Sequence, residues 1–535
     1  MNIKDNIRKL TYMFILLFVI LSGGIVYWQV GVSAQVTSNI HNGRHCLSDS
    51  TPMRGRIFDR NGVLLAESVP SADGCGYLRK YFEPSLAGLI GYYVNPTLPA
   101  TGIEAQYNNY LNGQVGVTAL DNQINQLLHR PPVGDDIYLT IDVRIQRAVA
   151  NDFVKDASPP DNVNVFKTDR GAIIVEDPHT GEILAMYSSP GYDPNKLVQT
   201  LAAGDFSYYN SLVANPEQPL FFRPIQGTYV PGSIFKTMTL TAALDSGHAQ
   251  LTDLFYNDKN PNHPQAIGPV TIGSGDNSES FGPVGNNLCC YTKSYPVDLE
   301  YGYVHSDNII FAQVGAETDV NTWLAYNKRF YVGEQIPFDL PVTPSSVTPP
   351  NGKPLQLNGL GENSFGQGVD TISPLEMSLL TSTIANNGDM MRPHVVMKIV
   401  DPSSAVVQAD NPQSLGTPIS SQTASLVQRA MYGVVRCGSG SIVSPLFNSP
   451  WALTAKTGTG EVGGGKTANA WLITAAPYQN PRLTIVMMKE NGGEGGATDG
   501  PTVADIYNTV FTQYMKIPAP AAPDPNYCTT TGLLQ

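Results

Sequence analysis

The sequence predicts an α/β (α+β) fold: a sheet packed by helices, set behind an N-terminal membrane helix and a mixed, elongated pedestal domain. Three observations predict it. Residues 171–178 and 181–187 read as two apolar strands joined by a tight turn through His179 and Thr180. Pro231 and Gly232 form a second turn, and a buried helix-like run from Ile234 to Leu244 follows. Three further strand-like runs, 451–456, 470–475 and 483–488, come late in the chain, with a helix over 503–514 to cover them.

At 535 residues the chain is long enough for two or three domains. Charged residues make up only 14 %, while 50 Gly and 41 Pro call for long loops over a core supplied by 42 % hydrophobic residues. A net charge of −13 leaves no basic stripe for phosphates and excludes nucleic acid as a partner. The six cysteines include no C-x-x-C, and there is no H-E-x-x-H, so no zinc site is read. In an exported chain Cys46 could bridge to Cys75, and the vicinal Cys289-Cys290 pair could reach Cys437 or Cys528; spacing leaves the connectivity open.

Taken in order, residues 1–9 form a cytoplasmic tail carrying Lys4, Arg8 and Lys9. Residues 10–32 contain no charge and suit a membrane-spanning helix, with the basic end held inside and Tyr27 and Trp28 at the outer interface. The competing reading is a signal peptide cleaved after Val32-Ser33-Ala34, but the apolar stretch outruns a signal core of roughly 7–15 residues. Both readings make the remainder extracytoplasmic. Residues 33–160 form the pedestal: Asp59-Arg60-Asn61-Gly62 is a turn between two apolar runs, and a helix is expected from Val143 to Val154. No nucleophile stands out there, so the region reads as a structural spacer. The second domain spans 165–516, with a loop insertion over 255–295 and helices at 309–314, 375–384 and 426–435. Residues 517–535 are Pro/Ala-rich and read as a flexible tail.

The chemistry centres on Ser233 and Lys236. Three apart on a helix, they share a face, and a desolvated lysine can take the serine proton. No other lysine here has a serine three residues before it. Ser306-Asp307-Asn308 and Lys456-Thr457-Gly458-Thr459 also occur once each, the first at a helix start and the second at a strand end. Each motif alone has a bland reading: a capping serine before a surface lysine, a helix cap, a strand-to-turn exit. Together, in this order, they are far less probable by accident.

The triplet is the signature of penicillin-binding proteins and serine β-lactamases. Residues 54–62, Gly102-Ile103-Glu104, Leu139-Thr140-Ile141-Asp142, Phe365-Gly366-Gln367-Gly368 and Ser373-Pro374-Leu375-Glu376 resemble segments of class B penicillin-binding proteins, the monofunctional peptidoglycan D,D-transpeptidases. The likeness covers everything but the tail and the 255–295 insertion. It implies that Ser233 attacks the penultimate D-Ala carbonyl of a stem peptide and that Lys236 is the base. Lys456 would be the cation lowering the Lys236 pKa, with Ser306 as the proton relay. Asn308 would hold the substrate amide and Thr457 and Thr459 the terminal carboxylate. Gly458 would leave room for substrate, and backbone N–H groups of Ser233 and Thr459 would form the oxyanion hole. No metal or organic cofactor is implied. The implied partners are peptidoglycan stem peptides, β-lactam antibiotics, the cell membrane and a glycosyltransferase of the wall-synthesis machinery, in cell division or cell shape.

Two departures narrow the reading. No Glu-x-x-Leu-Asn segment lies between Ser306 and Lys456, as a class A β-lactamase would need for its deacylating water. The region before residue 160 is too short for a glycosyltransferase domain. The alternatives are a hydrolase on the same scaffold, either D,D-carboxypeptidase or β-lactamase, and a non-catalytic β-lactam-binding scaffold or sensor. The missing glutamate argues against fast hydrolysis, and the intact Ser233, Lys236, Ser306 and Lys456 argue against silence.

Overall fold

The computed structural model describes residues 3–27, 53–71, 76–127, 132–153, 168–256, 270–275, 277–281, 296–439, 444–521 and 524–533. Expectations for Trp28, Val32-Ser33-Ala34, Val154, Cys46, Cys75, Cys289 and Cys290 lie outside these residues. Helix α1, Ile3–Val26, includes the 21-residue stretch Asn6–Val26 of mean hydropathy 2.1, none of it buried against protein. At 1.5 Å per residue that stretch is about 30 Å long, enough to cross a bilayer, and it fits a single-pass anchor.

The first region after the helix has strands β1 (Ile57–Phe58), β2 (Leu64–Pro70), β3 (Tyr77–Tyr81) and β4 (Asp136–Leu139), with helix α2 (Val143–Phe153) after β4. The turn between β1 and β2 closes as its sequence suggests, with Asp59 Oδ1 accepting from the N–H groups of Asn61 and Val63, each at 2.8 Å. Arg54 and Glu104, from two separate motifs, meet in the interior. Arg54 Nη2 donates to Glu104 Oε2 at 2.8 Å and Arg79 Nε donates to Oε1 at 2.5 Å. Burial pushes the Glu104 carboxyl up, but Arg79 and Arg54 outweigh it and hold it below the usual carboxylate range.

The second region opens with β5 (Gly171–Glu176) and β6 (Ile183–Ser189), then helix α3 (Lys236–Asp245). The hairpin β7 (Val270–Ser274) and β8 (Asn277–Phe281) follows, then helices α4 (Leu299–Val304), α5 (Asn308–Thr318) and α6 (Pro374–Ala385). Strands β9 (Val396–Val400) and β10 (Val406–Ala409) and helix α7 (Ser421–Cys437) lead to β11 (Thr454–Gly460), β12 (Asn469–Ala476) and β13 (Leu483–Lys489). Helices α8 (Gly495–Thr509) and α9 (Tyr527–Thr531) complete the chain.

Two sheets organise these elements. One has the order β11-β12-β13-β5-β6, every pairing antiparallel. Its two faces are both covered, so β5, β12 and β13 are buried at every position. Leu472, Ile485 and Met487 pack with Val149 and Phe153 of α2 and Ile506 and Tyr507 of α8, while Ile473, Val486 and Met488 join the core that includes α6. Two-sided cover explains why these strands read as unbroken apolar runs rather than alternating ones. Helix α6 is buried at every residue from Pro374 to Ala385, and Ser373 caps it by accepting from Glu376 N at 3.1 Å. The other sheet has the order β10-β9-β4-β1-β2-β3, so β9 of the second region hydrogen-bonds to β4 of the first, and β10 extends the sheet beyond it.

Several expectations need correction. The insertion at 255–295 contains a hairpin; its polar composition masks Val270, Ile272 and Phe281, which are buried, and Phe281 packs edge-on against Phe365 at 5.9 Å. The strand expected at 451–456 runs from 454 to 460, because pairing with β12 continues through Gly460↔Asn469 despite the glycines. The covering helix starts at Gly495 rather than 503 and carries Pro501 inside it. The tail is anchored at its far end: Cys528 bonds to Cys437 and Leu533 is buried, so those two cysteines pair with each other and not with Cys289 or Cys290.

One buried acid yields a stability test. Glu176 on β5 accepts from Ser378 Oγ at 2.5 Å, and burial raises its pKa to about 7. A carboxyl with a raised native pKa contributes fully below about pH 4.5, and that contribution is lost as pH rises through 7. Glu176→Gln should therefore melt higher than the parent at pH 8, by up to about 3 kcal/mol, and no higher at pH 4. Thermal melts at both pH values check this, and an equal shift at both would contradict it.

Candidate active site

Ser233 sits on a 3-10 turn, Gly232–Phe235, that runs into α3 at Lys236; it does not open one continuous helix as expected. Residues three apart eclipse in a 3-10 turn, and Lys236 Nζ donates to Ser233 Oγ at 3.1 Å. Gly232 makes the turn possible. It has φ +59, its N–H donates to Gly366 O at 2.9 Å, and a Cβ there would lie 2.3 Å from the Thr459 carbonyl.

The second motif divides its work. Asp307 caps α5, accepting from Ile310 N at 2.8 Å. Ser306 takes φ +62, a costly region for serine that persists only where the surroundings impose it. Its carbonyl and Oγ lie 2.5 and 3.2 Å from Lys236 Nζ, which also donates to Asn308 Oδ1 at 2.6 Å. Lys456 Nζ donates to Ser306 Oγ at 2.9 Å and to Thr457 O at 3.0 Å. The four side chains thus form one path: Ser233 Oγ, Lys236 Nζ, Ser306 Oγ, Lys456 Nζ.

Both lysines are completely buried, whereas Ser233 is half-buried and Asn308 exposed. Burial lowers the Lys236 pKa to about 7, against an upward pull from Asp307. Burial also lowers Lys456 well below its ordinary 10.5, and repulsion from Lys236 adds to that. Desolvation is thus the first cause at both lysines, and repulsion between the two amines adds to it. The Ser306 carbonyl and Asn308 Oδ1, at 2.5 and 2.6 Å, hold the Lys236 amine in place.

Strand β11 is an edge strand of its sheet. Thr459 O accepts from Gln367 Nε2 at 2.8 Å and Thr457 O from Lys456 Nζ, so both carbonyls face away from β12. In an extended strand the N–H of the same residue points the same way, which leaves the amides of Thr457 and Thr459 on the unpaired edge. Gly458 has a different role from the one expected. A Cβ there would lie 2.9 Å from both Pro231 O and Ile234 Cγ2, so its bare backbone admits the serine turn rather than substrate. Thr457 Oγ1 is 2.9 Å from Ser439 Oγ.

A cleft of about 250 Å³ brings together Ser233, Ser306, Thr457, Gly458 and Thr459, walled by Ser439 and residues 494–497. Ser439, Glu494 and Gln367 are additions to the residues picked out by sequence. Gln367 stood in a segment noted only for its resemblance, and the glycine-rich surroundings of Ser439 and Glu494 carry no periodic or motif signal. The arrangement can activate a serine hydroxyl, stabilise an oxyanion at backbone N–H groups and bind an extended peptide along the β11 edge.

Residues 171–508 match the family model described as penicillin binding protein transpeptidase domain, and residues 54–137 match the penicillin binding protein A dimerisation domain. The chain is 29 % identical over 512 residues to the peptidoglycan D,D-transpeptidase PbpA of Mycolicibacterium smegmatis, covering 94 % of this chain and 97 % of that protein. It is also 29 % identical over 437 residues to the Escherichia coli peptidoglycan D,D-transpeptidase MrdA, covering 76 % of this chain and 64 % of that one. Among solved structures, penicillin-binding protein A from M. tuberculosis, as its penicillin G acyl-enzyme, superposes with TM-score 0.73 at 28 % identity, over 86 % of this chain and all (100 %) of that one.

The lysine electrostatics set a pH dependence. With a Lys236 pKa of about 7, its amine is neutral above that value and protonated below it. The rate at which a β-lactam acylates Ser233 should rise with pH through a midpoint of about 7 and then level off. Stopped-flow acylation from pH 5.5 to 9 tests this, and a flat profile would exclude Lys236 as base.

Proposed function

The chain belongs to the penicillin-binding protein transpeptidase family, and from that premise we propose that it cross-links peptidoglycan as a D,D-transpeptidase through a Ser233 acyl-enzyme. The observation that carries the assignment is the unbroken path from Ser233 Oγ through Lys236 Nζ and Ser306 Oγ to Lys456 Nζ, at 3.1, 3.2 and 2.9 Å. Ser233 Oγ forms a bond to the penultimate D-Ala carbonyl as Lys236 takes its proton. Backbone N–H groups of Ser233 and Thr459 hold the oxyanion. As the intermediate collapses, the bond to terminal D-Ala breaks, and the proton reaches the departing amine through Ser306. Lys236 passes the Ser233 proton on to that hydroxyl, and Lys456, donating to Ser306 Oγ at 2.9 Å, holds it in place. A second stem peptide's amine then attacks the acyl-enzyme by the same steps reversed.

The unpaired β11 edge supports peptide binding by strand addition, with Thr457 and Thr459 at the terminal carboxylate and the exposed Asn308 at the substrate amide. Asn308 Oδ1 is engaged by Lys236, so its NH₂ is the group left for a substrate carbonyl. A β-lactam reproduces the D-Ala-D-Ala backbone in a strained ring and stops at the acyl-enzyme, as penicillin G does in the M. tuberculosis relative. Helix α1, with Lys4, Arg8 and Lys9 at its start, supports an anchor whose N-terminus is cytoplasmic and whose catalytic part is outside. A glycosyltransferase of the wall machinery supplies the glycan strands that such an enzyme joins.

Incubating the full-length protein in detergent with a stem-peptide donor and a D-amino-acid acceptor tests the assignment. Aminolysis should exceed hydrolysis, Ser233→Ala should form no product, and Lys236→Arg should lower acylation by about 10²-fold or more, since arginine cannot give up its proton. Hydrolysis alone would make the protein a carboxypeptidase, and near-normal acylation by Lys236→Arg would remove the proposed base.

A further inference from the structure

The end of the chain lies behind the active site. Helix α9 is bonded through Cys528 to Cys437, the last residue of α7, and Tyr527 stacks edge-on against Tyr432 of α7 at 5.1 Å. After α9, Gly532 turns the chain at φ +74 and Leu533 enters the core at 1 % exposure. Gly433 admits it: a Cβ there would lie 3.2 Å from Leu533 Cδ1 and 2.7 Å from Val304 Cγ2. His305 Nε2 donates to the Leu533 carbonyl at 3.1 Å, and the His305 ring lies 4.1 Å from that of Tyr301.

These contacts fall on two segments that lead directly into the cleft. His305 precedes Ser306, and Cys437-Gly438 precedes Ser439. The segments are also tied to each other, since Ser439 N donates to Val304 O at 3.3 Å. Ser306, meanwhile, holds its unfavourable positive φ while placing one hydroxyl between two amines. Such a conformation needs a backbone fixed on both sides. Asp307 and α5 fix the far side. On the near side Ser306 N donates to Tyr303 O at 3.1 Å and His305 N to Tyr301 O at 2.9 Å, and the His305 side chain adds a contact to the C-terminal segment.

We propose that residues 527–533 are a positioning strap for Ser306: Leu533 and His305 fix the rotation of the turn that aims Ser306 Oγ between Lys236 and Lys456, and the Cys437–Cys528 bond holds the strap down. The proposal rests on the reading of Ser306 as proton relay. His305, Leu533, Cys437 and Cys528 touch none of the reacting atoms and are positioning residues. The strap matters where the relay matters. An amide donor expels an amine that must receive a proton, whereas a thioester donor expels a thiolate that needs none. Loosening Ser306 therefore slows the amide reaction selectively, whereas a general loss of packing slows both.

The test compares two full-length variants, Leu533→Ala and the double variant Cys437→Ser/Cys528→Ser, with Ser306→Ala as reference, all in detergent with melting temperatures recorded. Each is assayed for acyl transfer to a D-amino acid from a stem peptide ending in D-Ala-D-Ala and from its thioester analogue. The strap variants should lose about tenfold in kcat/KM on the amide, the scale expected for a small misplacement of a proton-transfer group, and less than twofold on the thioester. Ser306→Ala should show the same selectivity, more strongly. Equal losses on both donors, or none, in the folded strap variants would overturn the strap. If Ser306→Ala itself slows both donors equally, the relay reading falls instead.

Discussion

Two buried amines in reach of a single hydroxyl set the terms for the rest of this molecule. Lys236 and Lys456 both donate to Ser306 Oγ, and neither has solvent to share its charge. That arrangement holds only if helix α3 and strand β11 are covered from both sides. The sheet between α6 on one face and α2 and α8 on the other provides that cover. If water reached the lysines, their pKa values would return toward the ordinary 10.5 and the proposed base would stay protonated at neutral pH. The core is large because the chemistry requires a dry place for a lysine. The same constraint bears on the strained Ser306, whose single hydroxyl accepts from both amines.

The edge of β11 imposes an opposite demand. A strand edge open to a peptide substrate is also open to any other strand. In this structure the edge is shielded without being paired. The serine turn lies against Gly458, and Gln367 takes the Thr459 carbonyl, so only a short stretch of edge is presented. Glycine at 458 allows this close approach, and a side chain there would force the nucleophile away from the strand that orients its substrate.

The fold and the reacting groups were legible to different degrees for physical reasons. Ser233, Lys236, Ser306 and Lys456 could be picked out because activated hydroxyls and desolvated amines leave few alternatives in residue type and spacing. Strands such as 470–475 and 483–488 could be read because two-sided burial makes every position apolar. Ser439 and Gln367 reach the site through tertiary contacts alone, and nothing local marks them. The β7–β8 hairpin was hidden because a polar insertion buries only alternate residues. The Cys437–Cys528 pairing depends on where the tail returns, information that spacing does not hold. The Ser306 carbonyl that accepts from Lys236 is a backbone group that no side-chain motif reveals.

The strands β9 and β10 come from residues 396–409 yet complete the sheet that opens with β1. The two regions are consequently cross-stitched rather than strung together. Pulling the two regions apart requires several hydrogen bonds of the β4–β9 ladder to yield together. A linkage through one stretch of chain would simply swing. The region that carries Ser233 is therefore held to the region that carries Arg54 by paired backbone as well as by the chain that passes between them.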